Sequence, residues 1–201
     1  MKGHKRRPQK QKIHTLEEAS LRGIFAVRRQ LSADSQEVLL DIMDALHPEL
    51  LNAARLFYLG ELSITVIGFS RFDKKHRGTG PSTMSIVDRV QSTKHPIEEV
   101  KLGQLCIFGS EAKAKLAISL NSDELDQEVE NIEAEYERKG FKLRKDYNSD
   151  NEDYSPHCSI ALLFGDNLSH FQDPNTLNKL DMIAGLGELS TTSIQLDPVI
   201  L

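Results

Sequence analysis

The chain has 201 residues, 39% of them apolar, which suffices for the core of one domain or of two small lobes sharing a cleft. No apolar run approaches the ~20 residues of a membrane-spanning helix. The basic start runs into Thr15-Leu16-Glu17-Glu18 and not into a signal-peptide core, and neither zinc-ligand spacing nor a glycine-rich phosphate loop is present. The expectation is a cytoplasmic protein with no membrane contact, no metal and no cofactor. The net charge is −5, but residues 1–12 carry six Lys or Arg and no acid, so the remainder bears −11. That basic start makes residues 1–20 an arm, read as a disordered, solubilising tail in preference to an RNA contact, since it offers no aromatic ring for base stacking. The two cysteines, Cys106 and Cys158, stand in apolar strand-like contexts and read as reduced, buried thiols.

Taken in order, Gly23-Ile24-Phe25-Ala26-Val27 predicts a first strand. A helix follows, with Asp34 as its cap, Glu37 in capping-box position, Val38, Leu39, Ile42, Met43 and Leu46 at helical spacing, and a stop at His47-Pro48. Leu56-Phe57-Tyr58 leads to Gly60 and to a strand, Leu62-Ser63-Ile64-Thr65-Val66-Ile67. The pattern is irregular from Ser70 to Pro96, with a basic run containing Arg71 before Gly78-Thr79-Gly80-Pro81 and a short amphipathic piece carrying Ile86, Val87 and Val90. Two runs, Val100 to Phe108 and Lys113 to Leu120, suit a hairpin. The clearest helix starts at Asn121-Ser122, shows Leu125, Val129, Ile132 and Tyr136 as one stripe, and closes at Gly140. Phe141 to Tyr147 predicts a strand and Asn148 to Asp153 an acidic loop. Ser155-Pro156 then introduces His157-Cys158-Ser159-Ile160-Ala161-Leu162-Leu163, an apolar strand on which His157 and Ser159 share one face and Cys158 and Ile160 the other. Asp173-Pro174 opens a last helix with Leu177, Leu180 and Ile183 on its apolar side. Thr192 to Leu196 is a final strand that Pro198 cuts short or forces to an edge. Hairpins and mixed connection lengths make the class α+β.

A histidine and a hydroxyl two residues apart on a buried strand form a polar pair in an apolar element. Ser63 and Thr65 repeat the outline on the earlier strand, with Ser63 standing where the later one has His157. From about Gly23 to the C-terminus, and most closely from Ile97 to Leu163, the chain resembles the two-histidine (2H) phosphoesterase superfamily, the LigT-like RNA 2′,3′-cyclic phosphodiesterases and 2′-5′ RNA ligase-like proteins. The resemblance implies a LigT-like fold: two lobes, two antiparallel sheets with pseudo-twofold symmetry around a central cleft, and helices outside. Residues 21–201 would form that single bilobal domain, as a monomer. It also implies the site. His157, Ser159 and Thr65 would be catalytic, Ser63 would bind substrate, and the partners would be RNA ends or small nucleotide phosphoesters; Arg71 is added as a substrate contact from its own place in the basic, Gly-rich loop beside the Ser63 strand.

The chemistry shows what the missing imidazole costs. Opening a cyclic phosphate in line needs a base on one side and an acid on the other, and histidine suits both. Hydroxyls hold the non-bridging oxygens. Ser63 is no base near neutral pH without an activating partner, so the expectation is impaired or altered catalysis on 2′,3′-cyclic or 2′-5′ phosphoesters. The alternatives are a non-catalytic nucleotide- or RNA-binding relative and an unrelated α+β interaction protein with His157 in its core.

Overall fold

The computed structural model describes residues 26–57, 62, 64–68, 89–108, 114–140, 156–187 and 191–200. Strand β1 (Ala26–Leu31) alternates cleanly: Val27, Arg29 and Leu31 are buried, while Arg28 and Gln30 are exposed. Helix α1 (Ala33–Leu50) follows after one residue, and strands β2 (Ala54–Leu56) and β3 (Ile64–Gly68) come next. A 3-10 turn at Gln91–Lys94 leads into the long β4 (Ile97–Phe108), its hairpin partner β5 (Lys115–Asn121) and helix α2 (Asp123–Arg138). The chain then forms β6 (His157–Leu163), a 3-10 turn at Gly165–Asn167, the short α3 (Leu168–Phe171), α4 (Pro174–Ala184) and β7 (Ser193–Ile200).

The sheet is organised on β6. One edge of β6 pairs with β2 through Ala161–Leu163 and with β3 through His157 and Cys158, and the other edge pairs with β5. All pairings are antiparallel. Because β5 also joins β4, the order β6-β3-β1-β7-β4-β5 returns to β6 and the sheet closes on itself. The α+β class is as expected. The expected two sheets are here one continuous sheet, and the two motif strands, placed in separate lobes by the sequence reading, are hydrogen-bonded neighbours. Both β3 and β5 bond to β6.

The helices bury their stripes as the spacing requires. Leu125, Val129, Ile132 and Tyr136 of α2 are all buried, and Ser122 caps the helix by accepting the Leu125 N–H at 3.4 Å. Helix α1 is capped by Ser32, which accepts from Ser35 N–H at 3.3 Å, and not by Asp34. It also runs through Pro48 to Leu50, because Leu46 and Leu50 bury together one turn apart; packing outweighs a proline confined to the last turn. On α4, Asp173 caps with Pro174 following and Gly185 ends the helix at φ 65°. Its inward face is Leu177, Leu180, Asp181 and Ala184; Ile183, expected inward, is 37% exposed. Pro198 neither ends β7 nor sends it to an edge, since β7 lies between β1 and β4. The proline sits where the register with β1 slips between Leu196 and Val199, and β4 pairs no further along β7 than Leu196, so no ladder donor is missed. Of the expected first strand, Gly23 to Phe25 lie outside the described residues. So do Phe141 to Tyr147, the acidic loop, and Ile86 and Val87.

Among the described residues one ion pair is fully enclosed. Arg29 and Glu128 are each 0% exposed. The guanidinium donates Nε–H to Glu128 Oε1 at 2.9 Å and Nη2–H to Oε2. Its remaining N–H groups go to the carbonyls of His95 at 2.9 Å, Asp197 at 2.8 Å and Ser92 at 2.8 Å. All five donors are used, tying β1, α2, the 3-10 turn and β7 into one node.

Candidate functional site

His157 begins β6. Its alternation is the one predicted: His157 and Ser159 are half-buried, while Cys158 and Ile160 are 0% exposed. Across one edge of β6, Thr65 is the Cα partner of His157 and Ile64 of Cys158; across the other, Ser119 partners His157 and Ile118 partners Cys158. Directly opposed residues of antiparallel strands share a face. The core-side row is therefore Ile64, Cys158 and Ile118, all 0% exposed, and the row on the outer face passes through positions 65, 157 and 119. Thr65 and His157 are thus brought together by strand pairing. Ser63 and Arg71 lie outside the described residues.

The outer row extends one strand further, since Arg28 of β1 is the Cα partner of Thr65. Arg28 is exposed between buried Val27 and Arg29, so its side chain leaves the sheet on the face away from the core. Reading this stretch as the end of an apolar strand misses it. The sequence reading also misses Phe108, whose ring stacks on the His157 imidazole with centroids 3.8 Å apart and planes 10° from parallel. The stack fixes the plane of the imidazole, an arrangement worth about 0.5–1.5 kcal/mol.

Beyond Ser119 the sheet carries a bulge. The β4–β5 register slips between Leu102 and Leu105. Ser119 Oγ accepts from Gln104 N–H at 2.9 Å and donates to Gln104 carbonyl at 3.0 Å, and Asp181 Oδ1 accepts the Leu105 N–H at 2.7 Å. Gly103 is required by proximity: a Cβ there would stand 2.3 Å from Ser119 Oγ. The bulge lines a cavity of about 240 Å³ with Lys101, Gln104, Ser119 and Asn121. That is below the ~300–1,000 Å³ of drug-sized pockets. Among the described residues no group of three or more His, Cys, Asp or Glu is placed to hold a metal ion, and no helix is long and apolar enough to cross a membrane.

Both cysteines are free thiols held well above their ordinary range. Burial pushes Cys158 up to about 12; burial, with the Asp181 carboxylate second, does the same for Cys106. They are protonated at neutral pH. The sign of the pH dependence follows. Between the ordinary value of 9.0 and about 12 the folded state keeps protons that the unfolded state has lost, so stability falls as pH rises, by up to about 1.4 kcal/mol per pH unit per thiol. Urea midpoints measured from pH 8 to 10 should therefore fall less steeply for Cys158→Ala than for the natural chain. Parallel slopes would show that the thiol is not the titrating group.

No protein-family model matches the chain, and no curated protein matches it. Among solved structures, it is similar to TT0787 of Thermus thermophilus, with a TM-score of 0.49 and 12% identity over 69% of this chain and 73% of that one. It is also similar to the MHV ns2 PDE domain, with a TM-score of 0.40 and 11% identity over 69% of this chain and 82% of that one.

Proposed function

We propose that the chain is a 2H phosphoesterase-like protein that binds or acts on RNA or nucleotide 2′,3′-cyclic or 2′-5′ phosphoesters at the outer face of β3 and β6. The observation that carries this reading is the pairing of Thr65 with His157 across adjacent strands, with Ser159 two residues along on the face of His157. In this reading His157 is the acid–base group, donating to a phosphoryl or leaving oxygen. Thr65 and Ser159 supply hydroxyls to the non-bridging oxygens, where charge builds up. Ser63 and Arg71 serve as further ligands to the substrate. With serine at position 63 the second acid–base group is absent, which lowers turnover by about 10²–10⁴ relative to a site with two histidines. Ligand binding without efficient turnover is the favoured form of the activity.

The test is Ser63→His. Ile64 and Val66 are both 0% exposed and hold the register of β3, so the substitution leaves the strand in place. Hydrolysis of a 2′,3′-cyclic nucleotide should rise above that of the natural chain. If the natural chain already turns the ester over at a rate that His157→Ala leaves intact, the two-histidine mechanism is wrong for this protein.

A further inference from the structure

The row of paired residues on the outer face ends in a cation. Arg28 on β1 is opposite Thr65 on β3, and Thr65 is opposite His157 on β6. Two strand spacings, about 10 Å, separate the backbones of Arg28 and His157, and the two positions flank Thr65 on one face of the sheet. Arg28 is exposed and has no ion pair among the described residues. Its neighbour Arg29 has all five N–H groups committed inside the core. One of two consecutive arginines is thus structural, and the other faces the site with its donors unspent.

We infer that Arg28 and His157 together form an anion-binding site over Thr65, built for the dianion of a phosphomonoester in preference to the monoanion of a cyclic or linear phosphodiester. This rests on the phosphoester reading above and sharpens it. A guanidinium presents a planar fork of donors matched to two phosphate oxygens. It cannot be deprotonated in a protein, so it cannot serve as a general base. A site with a fixed cation on one side and a single imidazole on the other holds phosphate better than it cleaves esters. Its attraction grows with the second negative charge that a terminal phosphate carries and a diester lacks. The ligand class is therefore a nucleotide or RNA end bearing a 2′- or 3′-phosphate, the product of cyclic phosphate opening. The reaction that supplies it is hydrolysis of a 2′,3′-cyclic end.

The experiment compares two probes by calorimetry, adenosine 2′-monophosphate and adenosine 2′,3′-cyclic monophosphate, against the natural chain, Arg28→Met and Arg28→Lys. The natural chain should bind the monoester about tenfold or more tightly than the cyclic ester, as expected for an added charge-assisted bidentate contact. Arg28→Met should bring the two affinities within about twofold, and Arg28→Lys, which keeps the charge but not the fork, should fall between. Arg28 is exposed, so both variants should keep the melting temperature of the natural chain. Equal binding of the two probes to the natural chain, or a preference that survives Arg28→Met, would overturn the inference while leaving the phosphoester reading standing. Binding of neither probe would remove both.

Discussion

Glu128→Ala should cost about 3–5 kcal/mol of folding stability. The loss comes from what remains behind. Arg29 keeps its three carbonyl partners, at His95, Asp197 and Ser92, but loses the one carboxylate it pairs with among the described residues. A guanidinium at 0% exposure then sits uncompensated. In urea, with a slope of roughly 1–3 kcal/mol per molar, the midpoint should fall by more than about 1 M. Removing both charges, as in Arg29→Met with Glu128→Leu, relieves the charge problem but takes the donor from three part-buried carbonyls, at His95, Asp197 and Ser92, a loss of about 0.5–1.5 kcal/mol each. The double variant should therefore not recover natural stability, unlike buried pairs that apolar residues replace without loss. A Glu128→Ala loss under about 1 kcal/mol would mean that water reaches the node and stabilises the guanidinium there.

Much of the fold is legible because it is written locally. Ser122 followed by a stripe at Leu125, Val129, Ile132 and Tyr136 can be little other than a capped, half-buried helix, and the alternation read for β6 holds from His157 to Ile160 and breaks at Ala161, where the register with β5 slips. The misreadings share a cause. Local preference speaks for a break at Pro48 and at Pro198, whereas burial of Leu50 and a slipped register decide their settings. On α4, residue type misleads where spacing does not: Leu177, Leu180, Asp181 and Ala184 are the face that a helical period selects, and Ile183 is off it. Asp181 is inward because the bulge at Gly103 leaves the Leu105 N–H needing an acceptor, and a glycine inside a strand pattern is the available signal for that bulge. Arg29 and Glu128 lie 99 residues apart in sequence, and no local rule pairs them. The site shows the same division. The side of β6 that carries His157 and Ser159 is readable, while Arg28 and Ser119 join it only through strand register, which is set by the whole sheet.

His157→Ala should weaken binding of nucleoside 2′- or 3′-monophosphates by about 10–100-fold, in line with loss of a hydrogen bond to a charged phosphate. Any residual cyclic phosphodiesterase turnover should drop by about 10²-fold or more. The alternative to be excluded is a histidine kept for packing. It half-buries a ring against Phe108 at 3.8 Å, so its removal costs stability whatever its function, and stability alone decides nothing. Two comparisons separate the roles. His157→Gln keeps a hydrogen-bond donor in place but no transferable proton, so binding should be partly retained while turnover stays at the level of His157→Ala. His170→Ala removes an exposed imidazole on α3 that meets Phe171 edge-on and takes no part in the row; affinity and turnover should both hold. A His157→Ala protein that melts earlier yet binds the monophosphate as the natural chain does would make His157 a packing residue, because the cation at Arg28 and the hydroxyl positions beside it would then be holding the ligand without the imidazole.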